Sequence, residues 1–173
     1  QISVEMDNFV LLTLHRSENV DNKKILTSIV KGLVDSNEDI IFPIHPRTRK
    51  RLVEFNLYNK LLRSKNILLL NSLGYFDMLE LMKQCEFIVT DSGGIQEEAT
   101  SPLIRKKVLV VRKTTDRPEA IESGMAEIIG LNEKTISKSI KKTMKDPRIS
   151  SRKTPYGKGD ASKKILKILQ KHF

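Results

Sequence analysis

Phe87-Ile88-Val89-Thr90-Asp91-Ser92-Gly93-Gly94-Ile95-Gln96-Glu97-Glu98-Ala99 is the stretch that decides the fold. Its first four residues are apolar or β-branched, too few for a helix, and lack a polar side. They read as a strand buried on both faces. Two glycines follow, then a helix-compatible run. A buried strand that passes through a glycine turn into a helix is the opening of a crossover between parallel strands.

The same pattern repeats outward in both directions. Apolar runs at 9–14, 40–44, 66–70 and 108–111 match the one at 87–90, and a weaker sixth lies at 127–129. Amphipathic segments between them predict helices at 22–35, 47–62, 75–84, 93–101 and 118–122. Two more are predicted at 133–145 and 160–172. Strands alternating with helices predict an α/β fold with a Rossmann-like, doubly wound parallel sheet. No repeat or linker splits the chain, so 1–173 reads as one domain, a length that buries a real core. The stretch 150–159, with Pro155, Gly157 and Gly159, is the single long loop.

Hydrophobic residues make up 39% and charged residues 30% of the chain, a soluble globular composition. No apolar run approaches the roughly 20 residues of a membrane span, and no cationic-then-apolar leader opens the sequence. The single cysteine, Cys85, falls in a helical segment and reads as a small buried hydrophobe; with no disulfide available, a reducing, cytoplasmic setting is expected. The net charge of +10 invites a nucleic-acid reading, but its distribution argues against one. Residues 1–131 hold 18 cations and 18 anions, whereas residues 132–173 hold 13 and 3. The excess reads as a solvated face on terminal helices, because no aromatic interleaving or zinc-ligand spacing accompanies it. Neither nucleic acid nor a membrane is expected as a partner.

Open α/β sheets bind ligands at the carboxyl ends of their strands. The residues just after each run are His15-Arg16, His45-Pro46-Arg47, Asn71-Ser72, Asp91-Ser92-Gly93-Gly94 and Arg112 to Arg117. Most are polar and several cationic, which suits an anion. At Ser92-Gly93-Gly94 the free N–H groups of a helix start can hold phosphate, Ser92 adds a hydroxyl, and the glycines admit a ligand to the backbone. Glu98, a turn further on, can accept hydrogen bonds from a ribose diol. Arg117 can neutralise phosphate charge, and His15 can act as acid, base or phosphate donor. Each has a plainer alternative. Asp91 or Ser92 can simply cap the helix, Arg117 can pair with Asp116 or Glu119, and His15 can bind backbone. No Walker loop, metal cluster or Ser/His/Asp arrangement is present, so no metal and no cofactor are expected.

The blocks Leu14-His15-Arg16-Ser17-Glu18-Asn19, Pro43-Ile44-His45-Pro46, Thr90 through Ala99, Thr114-Thr115-Asp116-Arg117-Pro118-Glu119-Ala120 and Pro155-Tyr156-Gly157-Lys158-Gly159 occur in order. Together they resemble the C-terminal half of non-hydrolysing UDP-N-acetylglucosamine 2-epimerases, over essentially the whole chain. The resemblance implies one half of a GT-B type fold of two Rossmann-like domains, with the active site in the cleft between them. It implies interconversion of UDP-N-acetylglucosamine and UDP-N-acetylmannosamine by elimination and re-addition of UDP. His15 would be the active-site histidine. Ser92, Gly93 and Gly94 would hold phosphate, Glu98 the ribose and Arg117 the diphosphate. Arg16, His45, Leu73 and Met78 are further candidates, His45 toward a second UDP-sugar site. Met78 stands where the family often has an aromatic residue near uracil, and the segment 100–107 is about two residues longer than usual. The family's acid/base carboxylates belong to an N-terminal domain, so this chain is expected to bind UDP without turning substrate over. The full-length protein is expected to be a homodimer.

Two other functions fit the residues. One is the donor half of a GT-B glycosyltransferase. The other is a non-enzymatic basic module that acts through residues 132–173. The final helix offers a different use for that segment. Ala161, Ile165, Leu166, Ile168 and Leu169 form an apolar stripe opposite Lys163, Lys164, Lys167 and Lys171, as expected of a helix that crosses to the missing domain.

Overall fold

The computed structural model describes residues 6–149, 154–157 and 159–172. Six parallel strands form one sheet: β1 (Val10–Thr13), β2 (Ile40–Pro43), β3 (Ile67–Leu70), β4 (Phe87–Thr90), β5 (Val108–Val110) and β6 (Ala126–Ile128). Their spatial order is β3-β2-β1-β4-β5-β6. The chain therefore winds one way from β1 to β3 and the other way from β4 to β6. The reversal falls between β1 and β4, which pair in register from Val10↔Phe87 to Thr13↔Thr90. A doubly wound sheet opens its ligand crevice at this switch point.

The continuous apolar runs are explained by helices on both faces. Along β1, Val10 and Leu12 join one core cluster while Phe9 and Leu11 join the other. β4 divides the same way, Phe87 and Val89 against Ile88. Successive strand side chains point to opposite faces, so both faces demand apolar residues here. On the first face α2 (Lys23–Ser36) packs on α8 (Glu133–Lys145). Gly32 permits this approach: a Cβ there would meet the Glu133 carbonyl and the Ile136 Cβ at 2.8 Å. The second cluster takes Leu81, Met82 and Cys85 from the α5 segment (helix Tyr75–Gln84) and Ala99 from α6 (Gly93–Ala99).

The predicted helix over 47–62 is two helices, α3 (Pro46–Glu54) and α4 (Tyr58–Leu62). The break is a Schellman turn. Asn56 takes φ +59°, the Leu57 N–H bonds the Leu52 carbonyl at 2.8 Å, and the Asn56 N–H bonds the Val53 carbonyl at 3.0 Å. Buried Leu57 and Leu61 then anchor the second helix in the core. A further short helix, α1 (Ser17–Val20), is invisible to the sequence pattern, since four residues are too few to show a helical period. α7 (Pro118–Glu122) follows β5, and α9 (Ala161–His172) ends the described chain. On α9, Ile165, Leu166 and Ile168 are more than half exposed. Of the loop at 150–159, residues 150–153 and 158 lie outside the described residues. Among the described residues, no helix is long and apolar enough to cross a membrane.

Candidate functional site

The switch point is held shut by a buried carboxylate. Asp91, fully buried at the end of β4, accepts from the His15 N–H at 3.0 Å, the Arg16 N–H at 3.0 Å and the Asn19 amide at 3.1 Å. The Asn19 amide also donates to the Val111 carbonyl at 2.9 Å. One side chain pair thus ties the carboxyl ends of β1, β4 and β5. Of the two capping readings, Ser92 is the N-cap of α6, its Oγ 3.4 Å from the Ile95 N–H. Asp91 instead shapes the loop that presents His15. Beneath it, the Thr13 and Thr90 hydroxyls meet at 2.6 Å.

A cleft of about 300 Å³ opens above this clasp. His15, His45, Leu73, Met78 and Ser92 all line it, with Ile95 completing an apolar wall. Five candidate residues from four separate rim segments are therefore brought together. The His15 and His45 rings stand 5.9 Å apart. His45 caps α3, its Nδ1 accepting from the Arg47 N–H at 3.2 Å, which assigns the proton to Nε2. His15 is partly exposed, with Nε2 4.0 Å from Asp91 Oδ1.

The remaining candidates lie beside this cleft and do not line it. Arg117 precedes α7; it pairs with Glu97 of α6 and donates to the Asp116 carbonyl at 2.8 Å. The Glu97 bond, and beyond it the Asp116 charge, raise the pKa of that guanidinium against the effect of burial. Arg16 turns toward the same loop, 3.1 Å from Asp116, and Arg112 reaches Asp116 at 2.8 Å and Glu18 at 3.1 Å. Burial works against the charge on Asp116, but its own backbone N–H and the Arg112 and Arg16 guanidiniums outweigh it and lower its pKa. The three guanidiniums thus converge on one loop that neighbours the glycine turn.

The two glycines differ. A Cβ on Gly93 would sit 3.1 Å from Asp116 Oδ1 and 3.6 Å from Arg117 Cζ, so this glycine lets the arginine loop close against α6. A Cβ on Gly94 would meet only Ser92 Oγ at 3.9 Å, so the space over Gly94 is open. In the first turn of α6 the Ile95 N–H is taken by Ser92 Oγ, while the Gly93 and Gly94 N–H groups lie before the first intrahelical acceptor. Half-buried Glu98 has its pKa raised by burial and then by Glu97. Its carboxylate has no hydrogen-bond partner among the described residues. The Tyr156 phenol has its pKa raised by burial and then by the Glu119 charge.

Three partners escape a reading of the sequence: Asn19, Gln96 and Thr115. Each is an ordinary polar residue whose importance lies in contacts across 19 to 72 positions. Only their place inside the quoted blocks signals them. Among the described residues, no group of three or more His, Cys, Asp and Glu side chains is arranged to hold a metal ion.

Comparison with known proteins gives a family. A family model described as UDP-N-acetylglucosamine 2-epimerase matches residues 1–170. The UDP-N-acetylglucosamine 2-epimerase of Methanocaldococcus jannaschii is 42% identical over 167 residues, covering 94% of this chain and 44% of that protein. The one from Campylobacter jejuni is 38% identical over 172 residues, covering 94% and 43%. The crystal structure of the M. jannaschii enzyme in complex with UDP-GlcNAc and UDP superposes with a TM-score of 0.86 at 41% identity, over 95% of this chain and 46% of that one. The chain thus spans less than half the length of the relatives it matches.

Proposed function

Because the chain belongs to the UDP-N-acetylglucosamine 2-epimerase family, we propose that it is the UDP-gripping, C-terminal half of such an enzyme. The whole protein would interconvert UDP-N-acetylglucosamine and UDP-N-acetylmannosamine by eliminating and re-adding UDP. The observation that carries this reading is the convergence of His15, Ser92 and an apolar wall on one cleft at the β1/β4 switch point, with a cluster of arginines alongside.

The chemistry is that of a leaving group. When UDP departs, negative charge develops on its β-phosphate, and donors aimed at that charge lower the barrier. Ser92 and the N–H groups of Gly93 and Gly94 would hold phosphate oxygens. Arg117 would exchange its carboxylate partners for the diphosphate, and His15 would donate to it from the cleft. Glu98, its carboxylate unbonded and close by, would accept the ribose hydroxyls. Leu73 and Met78 would flank the base, with apolar contact in place of aromatic stacking. Arg16 and His45 would border the sugar or a second nucleotide.

Removal of the C2 proton needs a base, and none of the carboxylates here takes that role. The base would come from an N-terminal domain in the same polypeptide, on which the apolar stripe of α9 would dock. The full-length protein would be a homodimer. The lone, buried cysteine suits a cytoplasmic enzyme. Calorimetric titration of this chain with UDP tests the reading: saturable binding without epimerisation is expected, and no heat or NMR shift at millimolar UDP would sink it.

A further inference from the structure

We propose that Gln96 and Thr115 form a latch that positions Arg117 against the glycine turn, so that the two parts of the diphosphate grip are built as one unit. The inference rests on the nucleotide reading above and adds residues to which no ligand contact is assigned.

Gln96 is fully buried in α6, and both ends of its amide are used. Its Nε2 donates to the Ser92 carbonyl at 3.2 Å, and its Oε1 accepts from the Thr115 hydroxyl at 2.8 Å. The Thr115 oxygen in turn accepts from the Arg117 N–H at 3.1 Å. The chain of bonds has one consistent direction. Nε2 must face Ser92, so Oε1 faces Thr115; the hydroxyl directs its proton to Oε1, so its lone pair faces Arg117. A buried amide costs stability unless satisfied, and apolar packing would fill the same space with less risk. What the amide adds is direction. It links the N-cap carbonyl of the phosphate helix to the backbone of an arginine 25 positions away, across the β4–β5 crossover. The seat for that loop is the missing Cβ of Gly93.

An arginine on an unlatched loop must be ordered when the ligand arrives, at a cost in affinity. A latched one is already in place. The benefit therefore falls on ligands that carry the diphosphate and spares those that lack it.

The test compares UDP with uridine on the full chain, by NMR titration, in wild type, Thr115→Val, Thr115→Ser and Gln96→Leu. Thr115→Val keeps the shape and removes both hydroxyl bonds. It should weaken UDP roughly five- to tenfold, the scale of one or two lost hydrogen bonds, and leave uridine within about twofold. Thr115→Ser restores the hydroxyl and should restore UDP. Gln96→Leu should resemble Thr115→Val; if it fails to fold, the threonine pair alone decides. Thr115→Val that binds UDP like wild type overturns the latch, as does one that loses UDP and uridine equally, which marks a purely structural role. A wild-type chain that binds neither ligand overturns the nucleotide reading, and the latch with it.

Discussion

The buried carboxylate of Asp91 holds the backbone of His15, 76 positions away, through two contacts from its N–H at 3.0 and 3.2 Å. The histidine's place on the rim is therefore set by its backbone, and its ring lines the cleft. Removing this carboxylate strands the donors of His15, Arg16 and Asn19. Asp91→Ala should cost about 3 kcal/mol or more, at the upper end for single substitutions. Urea unfolding would measure it; a loss below about 1 kcal/mol would contradict the clasp.

Gly94→Ala separates folding from binding. The added methyl meets nothing closer than 3.9 Å in the free protein, and alanine favours the helix. Stability should hold or rise by up to about 1 kcal/mol. The methyl enters the space assigned to phosphate, so UDP should weaken about tenfold or more. Thermal unfolding and calorimetry on one sample read both effects. A Gly94→Ala variant that binds UDP normally would remove the phosphate from this spot.

Glu98 gives a pH signature. Burial, and then Glu97, raise its pKa above the usual 4.5. A raised acid binds more protons folded than unfolded, so its contribution favours the folded state at low pH. That contribution is lost as pH rises through the raised value. Glu98→Gln should thus flatten the stability profile just above pH 4.5 and cost nothing at neutral pH. Glu98→Ala should weaken UDP and spare pyrophosphate. Equal losses for both ligands would argue against a ribose contact.

Cys85 should be inert. Burial pushes its thiol up to about 12, so no useful fraction is thiolate near pH 8. A disulfide reagent should leave the native chain unmodified and label one thiol after denaturation in urea. Rapid labelling of the native chain would refute the burial.

The two C-terminal helices should respond oppositely to truncation of their apolar side chains. Ile140 on α8 is fully buried, and Ile140→Ala should cost about 2 kcal/mol or more. Ile165 and Ile168 on α9 are 57% and 58% exposed, and replacing both by alanine should cost this chain less than about 1 kcal/mol. A large loss would mean that α9 packs on this domain, leaving no face for another.

The sheet was legible because its four inner strands, β2, β1, β4 and β5, are buried on both faces and announce themselves as uninterrupted apolar runs, whereas the edge strands β3 and β6 expose Leu68 and Glu127. β4 and helices α5, α7 and α8 have the bounds the pattern predicts. The 47–62 region misled because its break needs no glycine or proline. Asn56 adopts the left-handed conformation, and burial of Leu57 and Leu61 stabilises it. Hydrophobic burial selected that break, and a local pattern cannot show it.

The sequence by itself determined the doubly wound α/β sheet, the family, and the polar residues that follow the strands. Those follow from local periodicity, turn chemistry and ordered blocks. Only the tertiary structure decided which of two adjacent glycines is filled by the protein and which stays open. It also made Asp91 a clasp, Ser92 the cap, and Gln96 and Thr115 a link to Arg117. These roles depend on the directions of hydrogen bonds between residues that meet only when β1, β4 and β5 lie side by side. Direction across strands is a property of three-dimensional placement, and a one-dimensional pattern does not carry it.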